Sequence, residues 1–307
     1  MNKPAELSSK RISGSRLMQK ELAIVVPAFN EAKAIGATIA ALKAMLARTG
    51  IDGEIVVVDD GSKDGTGDAA EAAGVRVIRQ EENSGYGYAL KTGIAATQSK
   101  FVAIIDADGT YPVDKIPEML ELCRNADMVV GDRGADMKNV PLIRRPPKWV
   151  LNTLANVLAR RKIPDLNSGL RVFKRDSLER FVQLLPDGFS FTTTITLSMM
   201  CSNLRVVYTP IAYSKRVGQS SMKPTAFFTF ILLVLRIIVF FQPLRVFMPL
   251  GGVLFLLGMA KVVYDFTKMN LSESAIFALL AALVVWSLGL IADMISRLHL
   301  RPRPHSD

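Results

Sequence analysis

The residues best suited to chemistry are two carboxylates that follow an apolar run at 101–105. Asp106 and Asp108 stand one residue apart, directly before Gly109. Alternate residues of an extended chain point the same way, so both side chains can face one point in space. Two such carboxylates repel unless a cation lies between them, and hard oxygen ligands suit Mg²⁺ or Mn²⁺. The motif predicts a metal site that holds phosphates, with a solvated acidic turn as the alternative.

The elements that position these carboxylates are predicted from apolar periodicity. Short apolar runs predict strands at 22–26, 55–58, 75–78, 101–105, 128–130 and 206–210. Strands of this kind that alternate with helices predict an α/β fold, with a mostly parallel sheet covered by helices on both faces. Polar residues at 27–31, 59–62 and 106–108 each follow a strand. Because ligands bind beyond the carboxyl ends of parallel strands, we expect these residues to form one nucleotide site.

Two common nucleotide-binding motifs do not fit the glycine-rich segments. A P-loop requires a lysine directly after its last glycine, and the segment from Gly61 to Gly67 has none there. The dinucleotide fingerprint requires a third spaced glycine after Gly85 and Gly87, but Leu90 stands at that position. Neither motif accounts for the site.

Composition points to a polar domain combined with a membrane part. The 307 residues are 50% hydrophobic, yet 21% are charged and the net charge is +10. Such a charge predicts an anionic partner. Cys123 and Cys201 lie far apart without metal-ligand spacing, so we expect reduced, buried thiols.

Basic clusters lie at 144–149 and 160–162, on either side of an amphipathic helix predicted at 150–158. No nucleic-acid recognition motif accompanies them, so nucleic acid is not expected as a partner. Contact with membrane lipid phosphate and a merely solvated basic face stay open as alternatives. Residues 1–20 contain no sustained apolar run and are interpreted as a flexible basic arm.

Several ordered blocks carry a resemblance to a known family. They are Val26–Glu31, Val58–Thr66, Asn83–Lys91 and Asp106–Asp108. Together these blocks resemble glycosyltransferase family 2, and within it the polyprenyl-phosphate glycosyltransferases similar to dolichyl-phosphate mannose synthase. The resemblance covers roughly residues 21–223 and implies a GT-A catalytic domain that uses a nucleotide-sugar donor and Mg²⁺ or Mn²⁺.

The resemblance also implies roles on the donor side. Residues implied to line the base and ribose pocket are Pro27, Phe29, Asn30, Glu31, Asp59, Asp60, Gly61 and Ser62. Asp106, Ala107 and Asp108 are implied to flank the metal and the diphosphate, with both carboxylates as metal ligands. Thr110 stands where the relatives often have a glutamine ligand, so a third protein ligand is not carried over. Helix capping and turn formation are the alternative for Asn30, Glu31 and Asp60.

On the acceptor side, the resemblance implies that Arg133 approaches a donor or acceptor phosphate, a role that its fork geometry suits. A surface ion pair with Asp132 or Asp136 is the alternative. Asp165 is the candidate for positioning the acceptor or acting as a base, and its role stays open. Other implied contacts are Ser168 and Arg171 for the acceptor, and Lys215, Arg216 and Lys223 for the diphosphate.

The composition changes abruptly after residue 223. Residues 224–244 predict an interfacial helix, and 245–296 predict two membrane spans, at 246–264 and 274–292. The segment before the first span and the tail at 297–307 are basic, so the positive-inside rule predicts a multi-pass protein of the cytoplasmic membrane with its catalytic domain in the cytoplasm. A buried hairpin in a soluble protein is the alternative.

The favoured interpretation is an inverting, metal-dependent transfer of one hexose from a nucleotide-sugar to a polyprenyl phosphate. A processive polysaccharide synthase is one rival, although the sequence lacks the Gln-x-x-Arg-Trp motif usual in such enzymes. A catalytically silent nucleotide-sugar-binding scaffold is another rival. The sequence does not decide between UDP and GDP, does not identify the sugar, and leaves homo-oligomerisation open.

Overall fold

The computed structural model describes residues 20–134, 163–188, 190–213, 239–268 and 272–299. Strands within these ranges are β1 (Leu22–Ala28), β2 (Gly53–Asp59), β3 (Arg76–Arg79), β4 (Phe101–Ile104), β5 (Met128–Asp132), β6 (Arg171–Lys174) and β7 (Val206–Pro210). They form one sheet in the order β3-β2-β1-β4-β6-β5-β7. All pairs are parallel except those of β6, which runs antiparallel between β4 and β5.

Helices cover both faces of this sheet. They are α1 (Ala32–Thr49), α2 (Thr66–Ala72), α3 (Tyr86–Ala95), α4 (Ile116–Arg124), α5 (Arg175–Glu179) and α6 (Phe191–Cys201). One core cluster joins the sheet to α3 and α6, and the other joins it to α1, α2 and α4. The predicted α/β fold with a mostly parallel sheet is confirmed.

The strand register brings the predicted polar clusters to one edge. β1 lies between β2 and β4, with Ala28 opposite Asp59 and Val25 opposite Ile104. The carboxyl ends of these parallel strands therefore lie side by side. Apolar periodicity predicted these strands to within two residues because each is buried along most of its length.

Strand β6 was not predicted from the sequence. It has four residues, of which only Val172 and Phe173 are apolar, so it lacks a recognisable strand pattern. Ile104 pairs with Arg171. The loop that precedes β6 is thereby brought to the same edge as Asp106.

Two long helices, α7 (Leu244–Thr267) and α8 (Glu273–His299), pack against each other as a hairpin. The predicted spans lie within them, although α8 continues to His299 beyond the predicted boundary at 296. Gly251 permits this packing, because a Cβ there would lie 2.4 Å from the Trp286 ring. Both helices are long and apolar enough to cross a membrane, and most of their large apolar side chains are exposed.

The base of the hairpin is attached to the α/β domain. The Gln242 side-chain amide donates to the Cys201 carbonyl at 3.1 Å. Phe241 is buried in the core, with its ring centroid 6.1 Å from that of Phe181. Both cysteines are buried and unpaired with each other, as predicted.

Several predicted features lie outside the described residues. They are the arm at 1–19, the basic clusters at 144–149 and 160–162 with the helix at 150–158, the loop residues Lys215, Arg216 and Lys223, most of the interfacial helix at 224–244, and the tail beyond 299.

Candidate active site

Asp106 and Asp108 lie just beyond β4, and each is partly accessible. The Tyr86 hydroxyl, at the start of α3, donates to Asp106 Oδ1 at 2.9 Å. Thr110 donates to Asp108 Oδ1 through its hydroxyl at 2.6 Å and its backbone N–H at 3.1 Å. Hydroxyl groups therefore orient both carboxylates of the pair.

Gly169 lies directly against the Asp106 carboxylate. A Cβ at this position would stand 2.2 Å from Asp106 Oδ2, so only glycine permits this approach. The Gly169 N–H donates to the Tyr111 hydroxyl at 2.7 Å. The loop before β6 is thus fixed beside the first carboxylate.

The loops after β1 and β2 are joined by hydrogen bonds. Asn30 adopts a left-handed φ of 55°, which asparagine tolerates better than most residues. Its N–H donates to Ser62 Oγ at 2.9 Å, and its Oδ1 accepts from the Lys63 N–H at 3.0 Å. The Glu31 N–H donates to Thr66 Oγ1 at 2.8 Å. These hydrogen bonds join the two loops into one surface. The Phe29 side chain lies on this surface and is 44% exposed.

The acidic residues at the end of β2 are both buried. Asp59 Oδ1 accepts from the Ser62 N–H at 3.0 Å. Asp60 accepts from the backbone N–H groups of Ser84 at 2.8 Å and Gly85 at 3.0 Å. Asp60 therefore ties the end of β2 to the start of α3, which corresponds to the structural alternative considered for it. Contact of either residue with a nucleotide stays a prediction.

Arg133 and Asp165 form a bidentate ion pair. Arg133 Nε lies 2.6 Å from Asp165 Oδ2, and a terminal guanidinium nitrogen lies 2.8 Å from Oδ1. Burial alone would raise the pKa of Asp165, but hydrogen bonding to Arg133 and its charge hold that pKa below its usual range. Of the two partners considered as the alternative, the Asp132 carboxylate accepts from the Gly134 N–H at 2.9 Å, and Asp136 lies outside the described residues.

Aromatic rings hold Arg133 from the other side. Its guanidinium carbon lies 5.3 Å from the centroid of the Tyr213 ring, a cation–π distance. The rings of Tyr213 and Tyr111 meet edge to face at 5.1 Å. Tyr213 is the last described residue before the range 214–238, in which Lys215, Arg216 and Lys223 lie.

Ser168 and Arg171 are both fully buried. The Arg171 guanidinium donates to the carbonyls of Leu166 and Ser168, each at 2.8 Å, and to Thr196 Oγ1 at 2.6 Å. These bonds hold the loop before β6 from beneath. Direct contact of Arg171 or Ser168 with an acceptor stays a prediction, and the observed contacts indicate loop positioning.

The remaining predicted donor-side residues lie at or just beyond the carboxyl ends of β1, β2 and β4. Pro27 and Ala107 are buried, and the Ala107 carbonyl accepts from Thr38 Oγ1 at 3.0 Å. Gly61 adopts φ 72° in the loop after β2. Tyr86, Tyr111 and Gly169 were not among the predicted site residues, although Tyr86 lies in the Asn83–Lys91 block and Gly169 lies between the predicted Ser168 and Arg171. Their role depends on contacts across the fold, and only the glycine-rich segment around Tyr86 drew attention to that region.

The described residues offer two carboxylates for a cation, and no group of three or more His, Cys, Asp or Glu suited to a metal lies among them. This donor set fits Mg²⁺ or Mn²⁺, which are commonly held by one or two carboxylates together with substrate phosphates and water. Asp106 and Asp108 are the residues that would hold it.

The fold and this edge define a GT-A catalytic domain joined to an apolar helical hairpin. A family model described as Glycosyl transferase family 2 matches residues 23–182, and one described as GtrB C-terminal hairpin matches 242–298. The chain belongs to glycosyltransferase family 2 and is a glycosyltransferase.

Two named relatives match this chain over different lengths. A dolichyl-phosphate hexose transferase of Haloferax volcanii is 33% identical over 210 residues, which cover 67% of this chain and 88% of that protein. A dodecaprenyl-phosphate galacturonate synthase of Rhizobium johnstonii is 26% identical over 303 residues, covering 92% of this chain and 89% of its own length.

Among solved structures, glucosyl-3-phosphoglycerate synthase from Mycobacterium tuberculosis has a similar fold. Its complex with Mn²⁺, uridine-diphosphate-glucose and phosphoglyceric acid matches with a TM-score of 0.59 at 21% identity. The match covers 71% of this chain and 80% of that one. At this identity the likeness concerns the fold.

Proposed function

We propose that this enzyme transfers one hexose, with inversion, from a UDP- or GDP-sugar to a polyprenyl phosphate at the cytoplasmic face of the membrane. The observation that carries the proposal is the attachment of an apolar hairpin to a GT-A domain through Gln242 and Phe241. A sugar transferase built in this way is suited to an acceptor that is itself held in a membrane. Three relatives support the same acceptor class by their names, which are dolichyl-phosphate hexose transferase, undecaprenyl-phosphate mannosyltransferase and dodecaprenyl-phosphate galacturonate synthase.

The donor would bind along the edge formed by β1, β2 and β4. The exposed Phe29 ring offers a surface on which a base can stack, and Asp59, at the end of β2, pairs with Ala28, the residue before Phe29. Asp106 and Asp108 would hold Mg²⁺ or Mn²⁺, which supplies charge stabilisation for the departing nucleoside diphosphate.

The acceptor phosphate would approach from the side of Arg133 and Asp165. An oxygen of that phosphate forms a bond to the anomeric carbon while the bond from that carbon to the diphosphate breaks, and the configuration inverts. The phosphate is already anionic near neutral pH, so the site must align it more than deprotonate it. Asp165 suits this task, because a carboxylate with a lowered pKa is a weak base but fixes Arg133 firmly.

The cytoplasmic orientation rests on the basic residues that flank the hairpin in the sequence. A reporter fused after residue 307 tests this, since a fluorescent protein that matures only in the cytoplasm should be fluorescent there. Activity of a reporter that requires export would reverse the orientation.

The full-length chain in detergent or nanodiscs tests the reaction itself. Purified protein would be incubated with Mn²⁺ or Mg²⁺, a short polyprenyl phosphate and a panel of UDP- and GDP-sugars. We expect release of one nucleoside diphosphate and formation of a lipid-linked monosaccharide of inverted anomeric configuration. An Asp108→Asn chain serves as the inactive control.

The rivals give different products. A polymer in place of a lipid-linked monosaccharide would favour a processive synthase. Tight nucleotide binding with no transfer across the whole panel would favour a silent scaffold, and either result would overturn the proposal.

A further inference from the structure

The Tyr86 hydroxyl contacts Asp106 from a distant part of the chain. Tyr86 is the first residue of α3 and lies 20 residues before Asp106, to which it donates at 2.9 Å. Tyrosine is a large side chain with only two torsions, so a hydroxyl at its tip is well fixed once the ring is packed. This ring packs against the core cluster that joins α3 to the sheet.

The backbone around Tyr86 is held by two other segments. The Asp60 carboxylate accepts from the N–H groups of Ser84 and Gly85, immediately before Tyr86. The Asp187 carbonyl accepts from the N–H of Tyr88, two residues after Tyr86, at 3.0 Å. The position of the hydroxyl is therefore set by the end of β2 and by the segment before α6.

The Gly169 backbone restricts the orientation of the Asp106 carboxylate on a second side. A Cβ added to Gly169 would lie 2.2 Å from Asp106 Oδ2 and 2.6 Å from Asp106 Oδ1. The carboxylate is therefore in direct contact with the glycine backbone. A hydroxyl donor and a backbone surface together restrict this carboxylate to one orientation.

We propose that Tyr86 is a positioning residue for the divalent cation and diphosphate: its hydroxyl presents the Asp106 carboxylate in the orientation in which the cation binds. This inference rests on the proposed function, because it assumes that Asp106 is a metal ligand. Hydrogen bonds that orient a ligating group reduce the reorganisation required on binding, and their loss typically lowers metal affinity about 10- to 100-fold. Tyr86 acts through Asp106 and does not itself touch the sugar.

The test compares Mn²⁺ binding by the full-length chain and its Tyr86→Phe variant. Free Mn²⁺ would be measured by electron paramagnetic resonance during titration, with UDP and GDP in separate series. We expect Tyr86→Phe to weaken Mn²⁺ binding about 10-fold or more. Tyr208→Phe is the matched control, because the Tyr208 hydroxyl is buried and has no hydrogen-bond partner among the described residues. That control should bind Mn²⁺ as the wild type does.

Two further variants separate positioning from a general loss of folding. If Tyr86 acts through Asp106, then adding Tyr86→Phe to Asp106→Asn should weaken Mn²⁺ binding no further, whereas additive losses would overturn the proposal. Gly169→Ala disturbs the same carboxylate without changing Tyr86, so it should also weaken Mn²⁺ binding; a folded Gly169→Ala chain with wild-type Mn²⁺ affinity would also overturn the proposal. The second of these outcomes applies even if Tyr86→Phe does not fold.

The assay contains neither sugar nor acceptor, so its result is separate from that of the transfer reaction. Loss of Mn²⁺ affinity in a chain that transfers no hexose to polyprenyl phosphate would leave the positioning role intact and reject the acceptor. Unchanged Mn²⁺ affinity in a folded Tyr86→Phe chain, or no Mn²⁺ binding by the wild type with either nucleotide, would overturn the role of Tyr86.

Discussion

Replacing Asp165 by asparagine tests whether this residue aligns the acceptor or acts as a base. The substitution keeps the shape of the side chain and one carbonyl acceptor for Arg133, but it removes the negative charge. Asp132→Asn is a suitable control, since it removes a neighbouring carboxylate that accepts from the Gly134 N–H and is not bonded to Arg133.

The expected magnitude follows from the burial of the pair. The Asp165 side chain is 11% exposed and that of Arg133 is 27% exposed, with N–O distances of 2.6 and 2.8 Å. Breaking a fully buried pair costs about 3–5 kcal/mol. Because Arg133 stays partly hydrated and asparagine still accepts one bond, we expect a loss of about 1–3 kcal/mol in the free energy of unfolding.

Catalysis should fall through poorer alignment. Without its bidentate partner the Arg133 fork is free to rotate, and we expect kcat/KM for the lipid acceptor to fall about 10- to 100-fold, or ~1.4–2.7 kcal/mol. The fall should have the same size at every pH from about 5 to 8, because a carboxylate with a lowered pKa stays ionised throughout that range.

The direction of the pKa shift also determines how the contribution of Asp165 to stability changes with pH. The pKa of Asp165 is lower in the folded chain than its ordinary value of 3.8, so its contribution to stability is present above that value and is lost as the pH falls through the lower, folded pKa. Thermal melts and pH–rate profiles of both variants check this. An acidic limb in the wild-type profile near pH 6 or 7, absent from the Asp165→Asn profile but kept in Asp132→Asn, would refute alignment and favour a base.

Three further predictions concern the metal edge and the cysteines. Asp108→Asn should lower kcat about 100-fold or more while leaving the melting temperature nearly unchanged, because the carboxylate is partly exposed and ligates only when cation and donor are bound; equal activity of this variant would remove Asp108 from the site. Gly169→Ala should lower the free energy of unfolding by about 1–3 kcal/mol and weaken Mn²⁺ binding, since its Cβ would stand 2.2 Å from Asp106 Oδ2; a variant with wild-type stability and metal affinity would contradict this contact. Burial raises the pKa of Cys123 to about 12 and that of Cys201 to about 11, so neither thiol should react with a maleimide near neutral pH until the protein unfolds; rapid labelling detected by mass spectrometry would show that the core opens.

Local patterns in the sequence were sufficient for the architecture. The apolar runs of β1, β2 and β4 are buried on both faces, so they appear in the sequence as uniform hydrophobic stretches that end in polar residues. The hairpin was equally clear, because crossing a membrane requires a long apolar segment whatever its neighbours are. Each of these features depends on the local sequence of one segment and not on contacts with other segments.

The pairing of side chains could not be predicted in the same way. Arg133 and Asp165 meet across 32 residues, and Tyr86 reaches Asp106 across 20. Asp132, an alternative partner considered for Arg133, is closer in sequence, but its carboxylate accepts from the Gly134 N–H. Such contacts depend on how separate segments pack, which periodicity and motif spacing do not encode.

The sequence by itself determined that Asp106 and Asp108 follow a buried strand, and that this strand belongs to a parallel sheet with a membrane hairpin downstream. Tertiary structure decided what surrounds them. The short antiparallel strand β6 brings Gly169 against Asp106, and the start of α3 brings the Tyr86 hydroxyl to the same carboxylate. The physical reason is that burial of apolar residues defines the elements, whereas hydrogen bonds between distant segments form only where packing of those elements leaves the donor and acceptor within about 3 Å.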